Sequence, residues 1–128
     1  MSHMKTRLPI VVTVMLFSPF AAGRPTAHHS QALYTNADGA ISITGVVRRL
    51  EFTNPHSFVY VEVTGADGKT KLWALELMSM RGLTMLGWTH ETIKPGDVIT
   101  AAGRPAKNGA PAMYAEAIRL PDGRSMRS

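Results

Sequence analysis

The stretch ISITGVVRRLEFTNPHSFVYVEVTGADGKTKLWALEL, residues 41–77, decides the fold, because apolar side chains recur in it at every second position. That period belongs to strands with one covered face. Ile41 and Ile43 set one phase and Val46, Leu50 and Phe52 the opposite one, with Gly45 where the phase changes. A glycine at such a change predicts a β-bulge, which bends a long first strand so that it pairs on both sides of a closed barrel. Asn54-Pro55 break the run, and a second strand is predicted over His56 to Thr64, with Val59, Val61 and Val63 toward the core and Phe58, Tyr60 and Glu62 away from it. Ala66-Asp67-Gly68-Lys69 is a hairpin turn into a third strand, Lys71 to Leu77, in which Trp73, Leu75 and Leu77 alternate with Leu72, Ala74 and Glu76.

Beyond this stretch the pattern changes once to a helix and then returns to strands. Ser79 is placed to cap a short helix through Leu86, closed by Gly87, with Met80, Leu83 and Leu86 on one side. Trp88 and Thr89 begin a second turn-like segment, and Lys94-Pro95-Gly96-Asp97 turns into a fourth strand, Val98 to Arg104. After a Lys107-Asn108-Gly109 hairpin, a fifth strand runs from Ala112 to Leu120 and stops at Pro121-Asp122-Gly123, leaving Arg124 to Ser128 as a frayed tail. Five strands with one short helix between the third and fourth are the order of an all-β, five-stranded OB-type Greek-key barrel. An open five-stranded sandwich or an SH3-like barrel is the competing architecture; it gives the helix no stereotyped place.

Upstream of the barrel, Lys5 and Arg7 precede an uncharged run, Leu8 to Phe20, followed by Ala21, Ala22 and Gly23. A basic start, an apolar middle and a small-residue exit describe a secretory signal peptide, so residues 1–27 are expected to be removed, with the cut between 23 and 27. A membrane anchor is the competing reading, but a span takes roughly 20 apolar residues and this run is interrupted by Pro9 and Pro19. Met1-Ser2-His3 ahead of Met4 resembles a vector remnant, so His3 is given no role. Residues 28–40 form a polar lead-in expected to lie along the barrel surface.

Removing the leader changes the charge balance. Of the 14 Lys and Arg, Lys5, Arg7 and Arg24 precede His28, which leaves 11 against 9 Asp and Glu, a net +2. The high isoelectric point of the whole chain therefore does not argue for nucleic acid. With no cysteine, neither disulfides nor thiolate metal sites are open to the chain.

His28-His29-Ser30, Thr53-Asn54-Pro55-His56, Trp73-Ala74-Leu75-Glu76, Gly87-Trp88-Thr89, Lys94-Pro95-Gly96-Asp97 and Leu120-Pro121-Asp122-Gly123, in that order, resemble a family of small exported bacterial proteins known only as a domain of unknown function. The family is related in shape to periplasmic bacterial OB-fold proteins. The resemblance implies export, a compact barrel and a histidine pair near the processed terminus, and it implies no enzyme activity. Gln31 stands where similar chains place an aromatic residue after the serine.

Four histidines besides His3 are candidate metal ligands, since neutral imidazole serves copper and zinc. A cut after Ala27 would give His28 a free amine beside its imidazole, and with His56 the set would resemble a copper-binding histidine brace. A cut after Thr26 would make His29 the third residue, suited to square-planar Cu(II) or Ni(II). A cut after Gly23, which the small residues favour, removes both arrangements and leaves His28 and His29 as solvated polar residues, with His56 supporting the Asn-Pro turn. His90 completes the four.

Glu76 lacks the matched second carboxylate of a general acid/base pair; its simpler role is to accept a hydrogen bond from a helix N-terminus or an arginine. No nucleophile elbow, phosphate loop or metalloprotease motif is present, and Ser30, Ser57 and Ser79 carry no activating signature. Phe58, Tyr60, Trp73, Trp88 and Tyr114 are candidates for an aromatic ligand surface of the kind on which OB folds stack bases or sugars, or else for core. Met78, Met80, Met85 and Met113 are read as packing rather than as Cu(I) ligands. The expectation is a non-enzymatic periplasmic binding module for a protein or small-molecule ligand, with His56, Phe58, Tyr60, Trp73, Glu76 and Trp88 as its surface. A copper or other transition-metal protein using His28, His29 and His56 is the second expectation.

Overall fold

The computed structural model describes residues 31–128; the expected leader, His28 and His29 lie outside the described residues. Six strands and one helix follow in order: β1 (Ile41–Glu51), β2 (Phe58–Thr64), β3 (Thr70–Glu76), α1 (Met80–Met85), β4 (Val98–Pro105), β5 (Ala112–Arg119) and β6 (Ser125–Arg127). Neighbours run β3-β2-β1-β4-β5-β6, and a parallel pairing of β3 with β5, Ala74 to Ala112 through Glu76 to Tyr114, closes the first five strands into a barrel. With α1 between β3 and β4, the architecture is the expected OB barrel. Closure removes the sheet edges that an open sandwich would expose. Among the described residues no helix is long and apolar enough to cross a membrane.

The long first strand works as expected, through a different residue. Its first half pairs with β4 from Ile41 to Val46 and its second half with β2 from Val46 to Glu51, and the bulge falls at Arg48, between Val47 and Arg49. Ile43 and Val47 therefore share the inner phase, and the extra residue at Arg48 shifts it to Leu50 and Phe52. Val47, not Val46, is the buried valine. Gly45 serves close approach instead: a Cβ there would stand 2.4 Å from the Glu62 carbonyl oxygen of β2.

Val59 and Val61 of β2, Leu75 of β3 and Leu77 beyond it fill the core with Ile99, Met113 and Ile118. Burying each such side chain contributes roughly 1.5–3 kcal/mol. Helix α1 plugs one end. Ser79 Oγ accepts the Gly82 N–H at 3.1 Å, as its position predicts. Ser79→Ala is expected to cost about 1 kcal/mol in urea-melt stability, and an unchanged midpoint would contradict the cap.

The helix closes in a Schellman turn: Gly87 N–H donates to the Thr84 carbonyl and Trp88 N–H to that of Leu83, with Gly87 at φ +89°. The reversal throws Trp88 inward beside Leu83 and leaves Leu86 on the surface, so the inner face is Leu83 with Trp88, not Leu83 with Leu86. The tail expected to fray is held as well. Ser125–Arg127 pair with β5, the Arg127 carbonyl accepts the Trp88 indole N–H at 2.8 Å, and the Ser128 hydroxyl donates to the Ala115 carbonyl at 2.9 Å.

Candidate functional site

The outer wall of the barrel carries an unusual residue for its position. Glu76, the last residue of β3, pairs with Phe58 of β2 on one side and Tyr114 of β5 on the other, and points away from the core, yet it is only 5% exposed. Its cover is the polar lead-in. A 3-10 turn over Gln31–Leu33 delivers Tyr34 to an isolated bridge with Ala106, and the Thr35 N–H to Pro105 and Lys107 N–H to Leu33 bonds lash the segment to the β4–β5 hairpin. The Tyr34 hydroxyl donates to Glu76 Oε2 at 2.7 Å, and its ring lies 6.1 Å from that of Tyr114.

Burial, then the hydrogen bond to Glu76 and its charge, push the Tyr34 phenol well above the usual tyrosine range. Burial first and then Glu76 also raise Tyr114. Tyr34 therefore remains a proton donor to the carboxylate at any ordinary pH. On the other oxygen, His56 Nδ1 stands 3.1 Å from Glu76 Oε1. Neither atom completes an aligned hydrogen bond within the described residues, although both are buried.

Glu76 thus answers to a tyrosine and a histidine, not to a helix N-terminus or an arginine as expected. Nor does His56 hold the Asn-Pro turn. Ser57 Oγ does so by accepting the Thr53 N–H and donating to the Thr53 carbonyl, while Asn54 Oδ1 accepts the Arg81 N–H.

Next to this cluster, on the same wall, Phe58 and Tyr60 stack with ring centroids 6.4 Å apart. The Arg49 guanidinium covers Tyr60 at 4.2 Å and pairs with Glu51 at 2.8 Å, and Arg48 pairs with Glu62. The platform is aromatic and its flanking charges are matched.

Of the residues expected to form one surface, His56, Phe58, Tyr60 and Glu76 are neighbours. Trp73 and Trp88 are not. Trp73 shares the inner phase of Leu75 and packs at the opposite rim with Val63; Trp88 is 1% exposed in the core, its indole N–H already bonded. His90 packs edge-on to Phe52 at 4.7 Å near the helix, away from His56. Met113 is fully buried and Met78 packs against the core, in line with a packing role, whereas Met85 is exposed. No group of three or more His, Asp or Glu placed to hold a metal occurs among the described residues. The expected set with His28 and His29 extends outside them. Tyr34 and Arg49 were not anticipated. The one signal for Tyr34 is a large aromatic in an otherwise polar lead-in, which a purely solvated segment would not need.

With the geometry in place, a family model matches residues 18–114, most of the chain. This protein belongs to the family of unknown function DUF6152. The DUF6152 match takes in the His28-His29-Ser30, Thr53–His56 and Trp73–Glu76 motifs and stops short of Leu120–Gly123. No curated protein matches the chain. Solved structures similar to it include two crystal forms of the mitochondrial single-stranded DNA binding protein of S. cerevisiae. They are 14% and 13% identical, each with a TM-score of 0.48, covering 63% of this chain and 91% and 90% of theirs. The DUF6152 chain is like them in fold alone.

Proposed function

We propose that this protein is a non-enzymatic binding module, active in the periplasm after loss of its leader, whose ligand surface is the outer wall of β1, β2 and β3. The observation that carries this reading is the Phe58–Tyr60 stack left outside a core that is already complete, with Arg49 laid over Tyr60. Both rings are half-buried, and aromatic rings left partly open on an outer wall suit stacking on a partner. Two further features support it: the wall is the β2–β3 face by which OB folds take ligands, and His56 lies in the β1–β2 loop beside it. Among the described residues, the carboxylate and imidazole of Glu76 and His56 have no activated nucleophile beside them, which suits binding better than catalysis.

The flanking charges narrow the ligand. Arg48 and Arg49 are each matched to a carboxylate, Glu62 and Glu51, so among the described residues the wall offers few free cations for phosphates and little counterion release. A neutral or weakly charged partner, a glycan or a polypeptide segment, fits this balance better than nucleic acid does, whatever the fold hosts elsewhere. The test is native mass spectrometry of the protein isolated from the envelope of its own host, beside an Arg49→Ala/Tyr60→Ala variant. The wild type is expected to retain an added mass that the variant loses. A wild type without added mass, or a mass the variant keeps, overturns the proposal.

A further inference from the structure

The barrel closes through the last three residues of β3 only, as befits a fold that is partly open. Ala74, Leu75 and Glu76 pair with Ala112, Met113 and Tyr114 of β5. The first half of the strand, Thr70 to Trp73, has β2 on one side and no strand on the other among the described residues. Nor does β6 fill that place, because it pairs with β5 from Ala117 to Arg119, past the end of β3.

The phase of the ladder tells which backbone groups are left over. Gly65 N–H donates to the Lys69 carbonyl and Leu77 N–H to that of Ser57, so the bonded rungs between β2 and β3 fall at odd-numbered residues. Even-numbered residues of β3 therefore turn their N–H and C=O away from β2. Ala74 does so, donating to the Pro111 carbonyl at 3.0 Å just before β5. Thr70 and Leu72 share its orientation and are both exposed. Their backbone groups make a short open edge, a template on which an extended chain can pair.

Side chains limit what can pair there. Leu72 is 54% exposed on the outer face, opposite Glu62 and beside the Tyr60–Ala74 pair, so the edge continues the aromatic wall. Lys71 lies on the other face, near Val63 and Trp73 at the rim. Neither Lys69 nor Lys71 is paired with a carboxylate among the described residues, and Asp67 Oδ1 accepts the Lys69 N–H within its own turn. Lysines on an edge keep like edges apart: pairing with a second copy would bring the lysines of the two chains together. A segment that carries a carboxylate meets no such obstacle. A glycan offers no ladder of alternating N–H and C=O groups.

We propose that an extended polypeptide of alternating apolar and acidic residues adds to β3 as a strand along Thr70–Trp73, its apolar side chain on Leu72 and its carboxylate beside Lys71. The inference rests on the reading of β1–β3 as the ligand wall, and it names the partner of that wall as polypeptide.

The test is calorimetric titration of the full chain with a blocked peptide of about eight residues alternating valine and glutamate, with amide exchange at Thr70 and Leu72 followed by NMR. One peptide per chain is expected, with exchange at both amides slowed about tenfold or more. The same peptide N-methylated throughout, or carrying lysine in place of glutamate, should bind about tenfold more weakly or less. Leu72→Pro removes an outward N–H and none that bonds β2, a change that edge strands tolerate, and should weaken binding about tenfold as well. Circular dichroism reports its fold, and the N-methylated peptide decides the matter even if this variant unfolds. Absence of binding by the folded wild type overturns strand addition. So does an affinity that N-methylation or a folded Leu72→Pro leaves within about twofold. The wall reading survives that result if protein from the host envelope still carries a mass that Arg49→Ala/Tyr60→Ala loses.

Discussion

Trp88→Ala is expected to lower the unfolding free energy by about 3–5 kcal/mol, the range for removing a large aromatic side chain from a packed core. Trp88 is 1% exposed and packs with Leu83 at the end of the barrel that α1 closes. Its loss also leaves the Arg127 carbonyl without the indole donor that pins β6. The effect should therefore spread: hydrogen exchange at Ser125–Arg127 ought to accelerate beyond what global destabilisation explains. Trp88→Phe separates the two parts, because it keeps most of the volume and drops only the indole bond. A smaller loss with β6 still loosened is its expected signature. Denaturant melts followed by far-UV circular dichroism measure both variants, and a Trp88→Ala loss under 1 kcal/mol would place this side chain outside the core.

The second large effect is expected where β4 crosses β5. Gly103 lies at the register shift between Ala102 and Gly103, and a Cβ there would meet the Tyr114 carbonyl oxygen at 2.1 Å and the Ala115 Cα at 2.8 Å. Both are backbone atoms, so no side chain can swing aside. Gly103→Ala must push the two strands apart or undo the bulge that leaves Glu116 unpaired in the ladder. A cost of about 3 kcal/mol, the upper end of what overpacking exacts, is expected. The adjacent residue is the control: Ala102 is exposed, and Ala102→Thr should stay within about 0.5 kcal/mol. Equal melting of the two variants would show that the strands do not approach as closely as described.

Period-two alternation made the barrel legible before any coordinates, because a strand with one covered face has no other way to arrange Val59, Val61 and Leu75. What alternation alone could not locate was where the long strand slips. Gly45 drew attention as the local backbone breaker, while the slip is at Arg48, a residue whose own chemistry signals nothing. The bulge is set by how two partner strands meet, a property of the sheet. The tail reads as frayed for a related reason: Ser125, Met126 and Arg127 are too few to signal a strand, and they are held by β5 and the Trp88 indole, both distant in sequence.

The site was half legible. His56, Phe58, Tyr60 and Glu76 stand out by residue type, but alternation assigns Trp73 to the Leu75 phase, and the inward turn at Gly87 that buries Trp88 depends on cap geometry. For Tyr34 the one signal is a large aromatic in a polar lead-in, and nothing local says that this segment folds back onto the carboxylate at the end of β3.

The proposed binding function depends on the outer wall of β1–β3 being the surface that meets a partner. Backbone amide chemical shifts of the 15N-labelled protein, followed while periplasmic fractions of its host are added, test that most directly. Shifts gathered at Arg49, Phe58, Tyr60 and Glu76, with Ala101 and Ile118 still, are the expected result. Shifts gathered instead on α1 or on the Lys107–Gly109 turn, or none with any fraction, would contradict it.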